Sequence, residues 1–151
     1  MRPHFIRWFM NLWPPLLGAG IRIKSISRDY SRVDVAMRLG LLNRNIVGVH
    51  FGGSLYAMCD PFFMLIMMEQ LGKDYIVWDK AAEIRFRRPG RGTVRAVFEV
   101  SPERVAEIRA AADAGPKVEP VFTVNVLDGT GVVVAEVVKK LYVRRRDQRT
   151  K

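Results

Sequence analysis

Val33, Val35, Met37 and Leu39 alternate with Asp34, Ala36 and Arg38, the period-two pattern of a strand with one face in a core. Ile21, Ile23 and Ile26 mark a strand before it, and the SRDYS segment between them predicts an antiparallel pair. Three further stretches alternate: Ile84 and Phe86 against Glu83, Arg85 and Arg87; Val94, Ala96, Phe98 and Val100 against Arg95 and Glu99; Phe122, Val124 and Val126 against Thr123 and Asn125. PGRG at Pro89 to Gly92 predicts a hairpin between the first two, and DGTG at Asp128 to Gly131 predicts one between the third and a final strand, Val132 to Val143.

The period changes between Gly53 and Leu71, where Leu55, Met58, Cys59, Phe62, Ile66 and Met67 predict a helix buried on most of its circumference. Pro61 lies inside it and should disturb one turn. Ser101-Pro102 starts a shorter helix, with Val105 and Ile108 on one face and Gly115-Pro116 as its stop. The order is helix, two strands, buried helix, two strands, short helix, two strands. It predicts an α+β domain in which a mostly antiparallel sheet packs on one long helix. A single sheet leaves edges open, which predicts self-association.

The first residues, MRPHFIRWFMNLWPPLLGAG, mix Arg2 and Arg7 with Phe5, Ile6, Trp8, Phe9, Leu12 and Trp13. Arg7 and Asn11 interrupt the apolar run and Pro14-Pro15 ends it, unlike a secretory signal. A short amphipathic helix packed on its own domain or a neighbouring subunit is expected, with a membrane-surface helix as the lesser alternative. No apolar run approaches the roughly 20 residues of a transmembrane helix. The RRRDQRTK tail is expected in solvent.

The 151 residues fit one domain, and a hydrophobic content of 49% supports a core without disulfides or metal. Twenty-five Lys and Arg against fifteen Asp and Glu give a formal charge of +10, which favours anionic partners without naming one. Cys59 is the only cysteine, so no intrachain disulfide forms and a reducing cytoplasm is the simplest setting. With His4 and His50 as the only histidines, a zinc site is not expected. Nucleic acid is disfavoured because neither an aromatic-interleaved platform nor a recognition helix accompanies the charge.

Candidate chemistry gathers in NRNIVGVHFGGSLYAMCD, Asn43 to Asp60. Asp60 stands among Cys59, Pro61, Phe62 and Phe63, where a carboxylate needs partners; it is either a helix-start or subunit contact or a general base or nucleophile. Gly52 and Gly53 either permit a tight turn or bring free amides to a helix start, where they would hold charge developing on a carbonyl oxygen. His50 either locks its loop or takes part in the chemistry, and Asn43 and Asn45 are turn formers, Asn45 alternatively positioning a water or a thioester oxygen. The stripe Arg85, Arg87, Arg88 and Arg91 with Lys139, Lys140, Arg144, Arg145 and Arg146 reads first as a solvated basic face and second as a site for a substrate phosphate.

The run Asn45-Ile-Val-Gly48-Val-His50-Phe-Gly52-Gly53, with Asp60 one or two helix turns beyond, resembles the acyl-CoA thioesterases of hotdog fold, in particular the PaaI-like group and its DUF4442 relatives. The element order agrees from about Ile21 to Arg144. The resemblance implies a hotdog domain over 21–146, an N-terminal helical segment over 1–20 and a charged tail over 147–151. It implies hydrolysis of an acyl-CoA thioester by a homodimer or homotetramer with the site between subunits, coenzyme A entering as substrate and no resident cofactor. Asp60 matches the carboxylate that activates water or attacks, and Gly53 the amide on the thioester carbonyl. Asn45 and His50 match the polar loop residues, although Phe51 separates His50 from the glycines, where PaaI-like sequences place histidine directly before them. Gly52, Ser54, Arg85, Arg87 and Arg88 are the residues expected against the substrate. Binding of an acyl group without cleavage is the alternative that the scaffold also implies.

Overall fold

In the computed structural model, which describes residues 2–146, helices α1 (Pro3–Leu12) and α2 (Pro14–Gly18) precede strands β1 (Ile21–Ile26) and β2 (Arg32–Arg38). The buried helical segment follows as α3 (Gly52–Ala57) and α4 (Phe62–Leu71), then β3 (Tyr75–Phe86), β4 (Thr93–Glu99), α5 (Pro102–Ala114), β5 (Val121–Leu127) and β6 (Val133–Arg145). The six strands form one antiparallel sheet in the order β1-β2-β4-β5-β6-β3, wrapped around the joined α3 and α4. This is the α+β hotdog architecture. The solvated tail expected at 147–151 lies outside the described residues.

Local sequence explains most of the elements. Pro102 takes the first position of α5, where its missing N–H is no loss, and the Ser101 Oγ accepts from the Arg104 amide at 3.2 Å. The α4 helix is apolar almost all round because the sheet curves about it. Its Phe62 and Phe63 rings meet Phe98 at 4.9 and 5.2 Å, and Phe63 stacks on Phe122 at 4.8 Å. Phe98 is fully buried at this junction of helix, β4 and β5. Phe98→Ala is therefore expected to cost about 3–5 kcal/mol of stability in urea unfolding, and a loss no larger than that of an exposed valine would refute this account of the core.

The hairpin expected at PGRG does not form. β3 pairs with β6, whereas β4 lies between β2 and β5. The connection crosses from the edge of the sheet to its middle, held by Arg87 and Arg88 amides on the Val134 carbonyl (2.8 and 3.2 Å), the His50 amide on Gly90 (3.0 Å) and the Leu39 amide on Gly92 (2.9 Å). A turn signal specifies a local change of direction, not which strand becomes the neighbour. The DGTG hairpin does form, joining β5 to β6.

The two edges of the sheet differ. Along β1, the Asn11 side-chain amide accepts from Ile23 N at 2.8 Å and donates to Ile23 O at 3.1 Å, and Arg7 Nη1 donates to Lys24 O at 3.0 Å. The helix α1 thereby covers that edge. The β3 edge pairs with no other strand among the described residues, and from Trp78 to Phe86 every residue but Ile84 is exposed, although the Asp79 side chain is turned partly inward with 28% of its surface exposed.

Candidate active site

Pro61 has no N–H with which to continue the helix, so α3 ends at Ala57 and α4 begins at Phe62. The expected disturbance thus spans a full turn, and Asp60 sits in it. Facing it is Lys139 of β6. In that strand Ala135, Val137, Lys139, Leu141 and Val143 all point inward, and the Lys139 side chain has 0% of its surface exposed. Its Nζ lies 2.8 Å from Asp60 Oδ1, 3.0 Å from Asp79 Oδ1 and 3.2 Å from the Tyr56 hydroxyl. All three ammonium protons therefore have acceptors.

Tyr56 in turn donates to Asp60 Oδ1 at 2.8 Å. That oxygen is held by two donors, while no described donor bonds Oδ2 and 48% of the side-chain surface is exposed. Burial opposes the charge on Lys139, but hydrogen bonds to Asp60, Asp79 and Tyr56 outweigh it and hold its pKa above the ordinary lysine value. Burial raises Asp79 above the usual carboxylate range, with Lys139 acting against it. Cys59 is fully buried beside this cluster, and burial pushes its thiol up to about 12, which disfavours the thiolate.

Lys139 corrects the expectation of a solvated basic stripe. Its position in phase with Ala135, Val137 and Leu141 carries the signal that places it inside, because a lysine on the buried face of a strand must meet a carboxylate. Tyr56, one helical turn before Asp60, has the right spacing to reach it. Asp79 has no local signal, since a bulge between Asp79 and Ala81 shifts its register against β6.

At the other end of α3, Gly52 and Gly53 are the first two helical residues, so their amides have no acceptor within the helix, and none outside it takes them among the described residues. A Cβ on Gly53 would fall 2.5 Å from the Phe51 ring, and one on Gly52 would fall 2.9 Å from the Phe86 ring. Glycine at both positions lets two aromatic rings lie against the helix start. A groove of 370 Å³ opens here, lined by Gly52, Phe86, Asn45, His50, Arg87 and Arg88 among others. A second groove, 460 Å³, runs along β3 past Tyr56, Asp79, Ala82, Ile84 and Lys139.

His50 is buried, with Nε2 at 2.9 Å from the Gly92 carbonyl and its own amide on Gly90. Burial lowers its pKa, and the neutral ring donates from Nε2 and leaves Nδ1 without a partner. In this arrangement the histidine fastens the loop between β3 and β4. Asn45 forms a turn, its Oδ1 accepting from the Val47 and Val49 amides at 3.0 and 3.2 Å. Ser54 is buried and lines neither groove. Arg85 pairs with Glu83 at 2.7 Å in solvent and lines neither groove, whereas Arg87 and Arg88 both do line the one at Gly52. Asn43, also read as a turn former, is buried and ties its loop to the end of α2 through Ala19 O at 2.9 Å. Among the described residues no cluster of three or more His, Cys, Asp or Glu forms a metal site.

The family model described as "Domain of unknown function (DUF4442)" matches residues 2–143. The chain belongs to the DUF4442 family. Solved structures share the fold of this DUF4442 protein over nearly its whole length. A protein of unknown function from Pseudomonas aeruginosa, described as a probable thioesterase, is 20% identical with a TM-score of 0.88, covering 97% of each chain. A thioesterase from Haemophilus influenzae is 13% identical with a TM-score of 0.71, over 100% of this chain and 96% of the other. The PaaI protein of the E. coli phenylacetic acid degradation operon is 19% identical with a TM-score of 0.65, over 97% of each chain. At these identities the likeness establishes the hotdog fold of the DUF4442 chain. No protein with a curated description matches it in sequence.

Proposed function

We propose that the protein hydrolyses an acyl-CoA thioester, with Asp60 as the general base. The observation that carries this reading is the state of the Asp60 carboxylate: Oδ1 is pinned by Tyr56 and Lys139, Oδ2 is bonded by no described donor, and the side chain is half exposed. Orientation is thus fixed through one oxygen while the other accepts a proton. In the proposed step Asp60 Oδ2 takes a proton from water as the water oxygen bonds to the thioester carbonyl carbon. The oxyanion that forms accepts from the Gly53 amide, at the positive end of α3. Collapse breaks the C–S bond, and the proton held by Asp60 returns to the departing thiolate, giving free acid and coenzyme A.

Asp60 and Gly53 of one chain are separated by seven residues, about 10 Å along a helix axis, and their neighbours line different grooves, Tyr56 and Lys139 the one along β3 and Gly52 the one at the helix start. A second copy paired antiparallel along β3 would remove this separation, setting the Asp79 end of one strand beside the Phe86 to Arg88 end of the other. The covered β1 edge and the open β3 edge support that choice, and Arg87 and Arg88 would then stand beside the groove to meet the phosphates of coenzyme A. A groove of 750 Å³ beside α4, lined by Met64, Met68, Ile76 and Trp78, offers apolar walls for the acyl group. Light scattering is expected to give two or four times the 17.2 kDa chain mass; a single-chain mass would overturn the shared site.

The double anchoring of Asp60 also favours a second reading, in which the carboxylate serves only as the counter-ion of Lys139 and the protein binds an acyl group without cleaving it. Thiol release measured across short, long and aromatic acyl-CoA thioesters separates the two. Release supports the hydrolase, and tight binding with no release across the panel supports the binding protein.

A further inference from the structure

We propose that the aromatic face of α1 and α2 docks on an anionic lipid surface. This goes beyond the thioesterase reading and does not depend on it. The helix uses only a narrow strip for its own fold: Ile6 and Met10, with Leu16 of α2, are buried against the domain. Phe5, Trp8, Phe9, Leu12, Trp13 and Leu17 point the other way and are 41–61% exposed. An apolar face of this size, rich in aromatics, needs a partner.

Charge decides which partner. Arg2, Arg7, Arg22, Lys24 and Arg28 are the charged side chains of the first 28 residues, and the first carboxylate is Asp29. Two of them lie directly along the helix, since Arg7 Nη1 donates to Lys24 O at 3.0 Å and Arg22 Nη1 approaches Asn11 O at 3.5 Å. Arg7 and Arg22 therefore flank the apolar face as a cationic collar that no ion pair among the described residues neutralises, the nearby Asp34 of β2 being taken by Arg32 at 2.8 Å. Against a second copy, a two-fold contact would set this collar against itself. Against an anionic bilayer, the aromatic side chains enter the boundary between headgroups and acyl chains while the arginines and lysine meet the phosphates.

The mounting is rigid rather than tethered, because the Asn11 amide is bonded to both Ile23 backbone groups and Trp13 N donates to Met10 O at 3.2 Å. Ten residues span only about 15 Å as a helix, so α1 lies in the interface. No helix among the described residues is long and apolar enough to cross a membrane. The face also belongs to the β1 side of the sheet, so self-association along β3 leaves it open.

The test is co-sedimentation of the full chain with phosphatidylcholine vesicles and with vesicles of equal parts phosphatidylcholine and phosphatidylglycerol. Binding at least about tenfold tighter to the anionic vesicles, weakening as salt rises, is expected. The Trp8→Ser/Phe9→Ser protein should lose about tenfold or more of that affinity at an unchanged melting temperature, since both side chains are exposed. Arg2→Glu/Arg22→Glu should abolish the preference for anionic vesicles. In a Trp78→Phe background, Trp8 and Trp13 report insertion by a blue shift in emission. The proposal is overturned by absence of binding to anionic vesicles, by binding that survives Trp8→Ser/Phe9→Ser, or by a fall in oligomer mass in that variant, which would make the face a contact between copies.

Discussion

Asp60→Asn is expected to lower thiol release from acyl-CoA by about 10²–10⁴-fold in a protein that remains folded and keeps its oligomeric mass. The substitution is isosteric. The amide oxygen can still accept from Tyr56 and Lys139, so the geometry that holds Oδ1 survives, but the group that replaces Oδ2 cannot take a proton from water. Lys139 retains Asp79 as a charged partner at 3.0 Å. The stability loss should therefore stay near 1–3 kcal/mol, roughly that of weakening one charged hydrogen bond. The counter-ion reading predicts that same stability loss with no change in any turnover. Hydrolysis at the wild-type rate by Asp60→Asn would thus remove Asp60 from the chemistry and leave it as the partner of Lys139.

The parts of this molecule that were legible in the sequence are those fixed by local periodicity. The alternation in Val33 to Leu39 gave β2 its inward face, and the apolar run from Leu55 to Met67 gave the wrapped helix, because burial on one or all sides leaves a regular trace. Pro61 announced the break in which Asp60 lies. What failed depended on partners distant in the chain. The PGRG turn resembles a hairpin locally, yet β3 finds β6 about fifty residues on, as the register of Ile84 against Val137 records. The stretch from Trp78 to Glu83 has no alternation because it lies on an open edge beside a bulge, so only the end of β3 leaves a period-two trace next to Ile84 and Phe86. Charge alone groups Lys139 with its basic neighbours, although the alternation of its own strand points it inward. The buried ion pair is therefore legible only when charge and period are considered together.

Lys139→Met should destabilise the protein by about 3–5 kcal/mol, the size expected when one member of a buried ionic cluster is removed and its partners remain. Methionine matches the length and apolar stem of lysine, so the loss measures charge more than volume. Its pH dependence carries the sharper information. Asp79 already lies above the ordinary carboxylate range because of burial, with Lys139 opposing the rise. Without the cation, burial and the facing Asp60 act on it unopposed. A carboxyl whose folded pKa exceeds its unfolded pKa holds its proton more tightly when folded, so stability falls as pH rises from the unfolded value through the folded one. The variant's deficit should accordingly be smaller near about pH 4 than near about pH 8, because the folded variant holds the Asp79 proton more tightly than the unfolded chain does. The wild-type protein should show no such loss from Lys139 in that interval, since a lysine whose pKa is raised on folding contributes fully below its unfolded pKa and loses the contribution only at strongly alkaline pH. Thermal unfolding of both proteins across this range reads the difference directly. A deficit that does not change with pH would mean that Lys139 matters for packing alone, and the electrostatic fixing of Asp60 on which the proposed chemistry depends would lose its support.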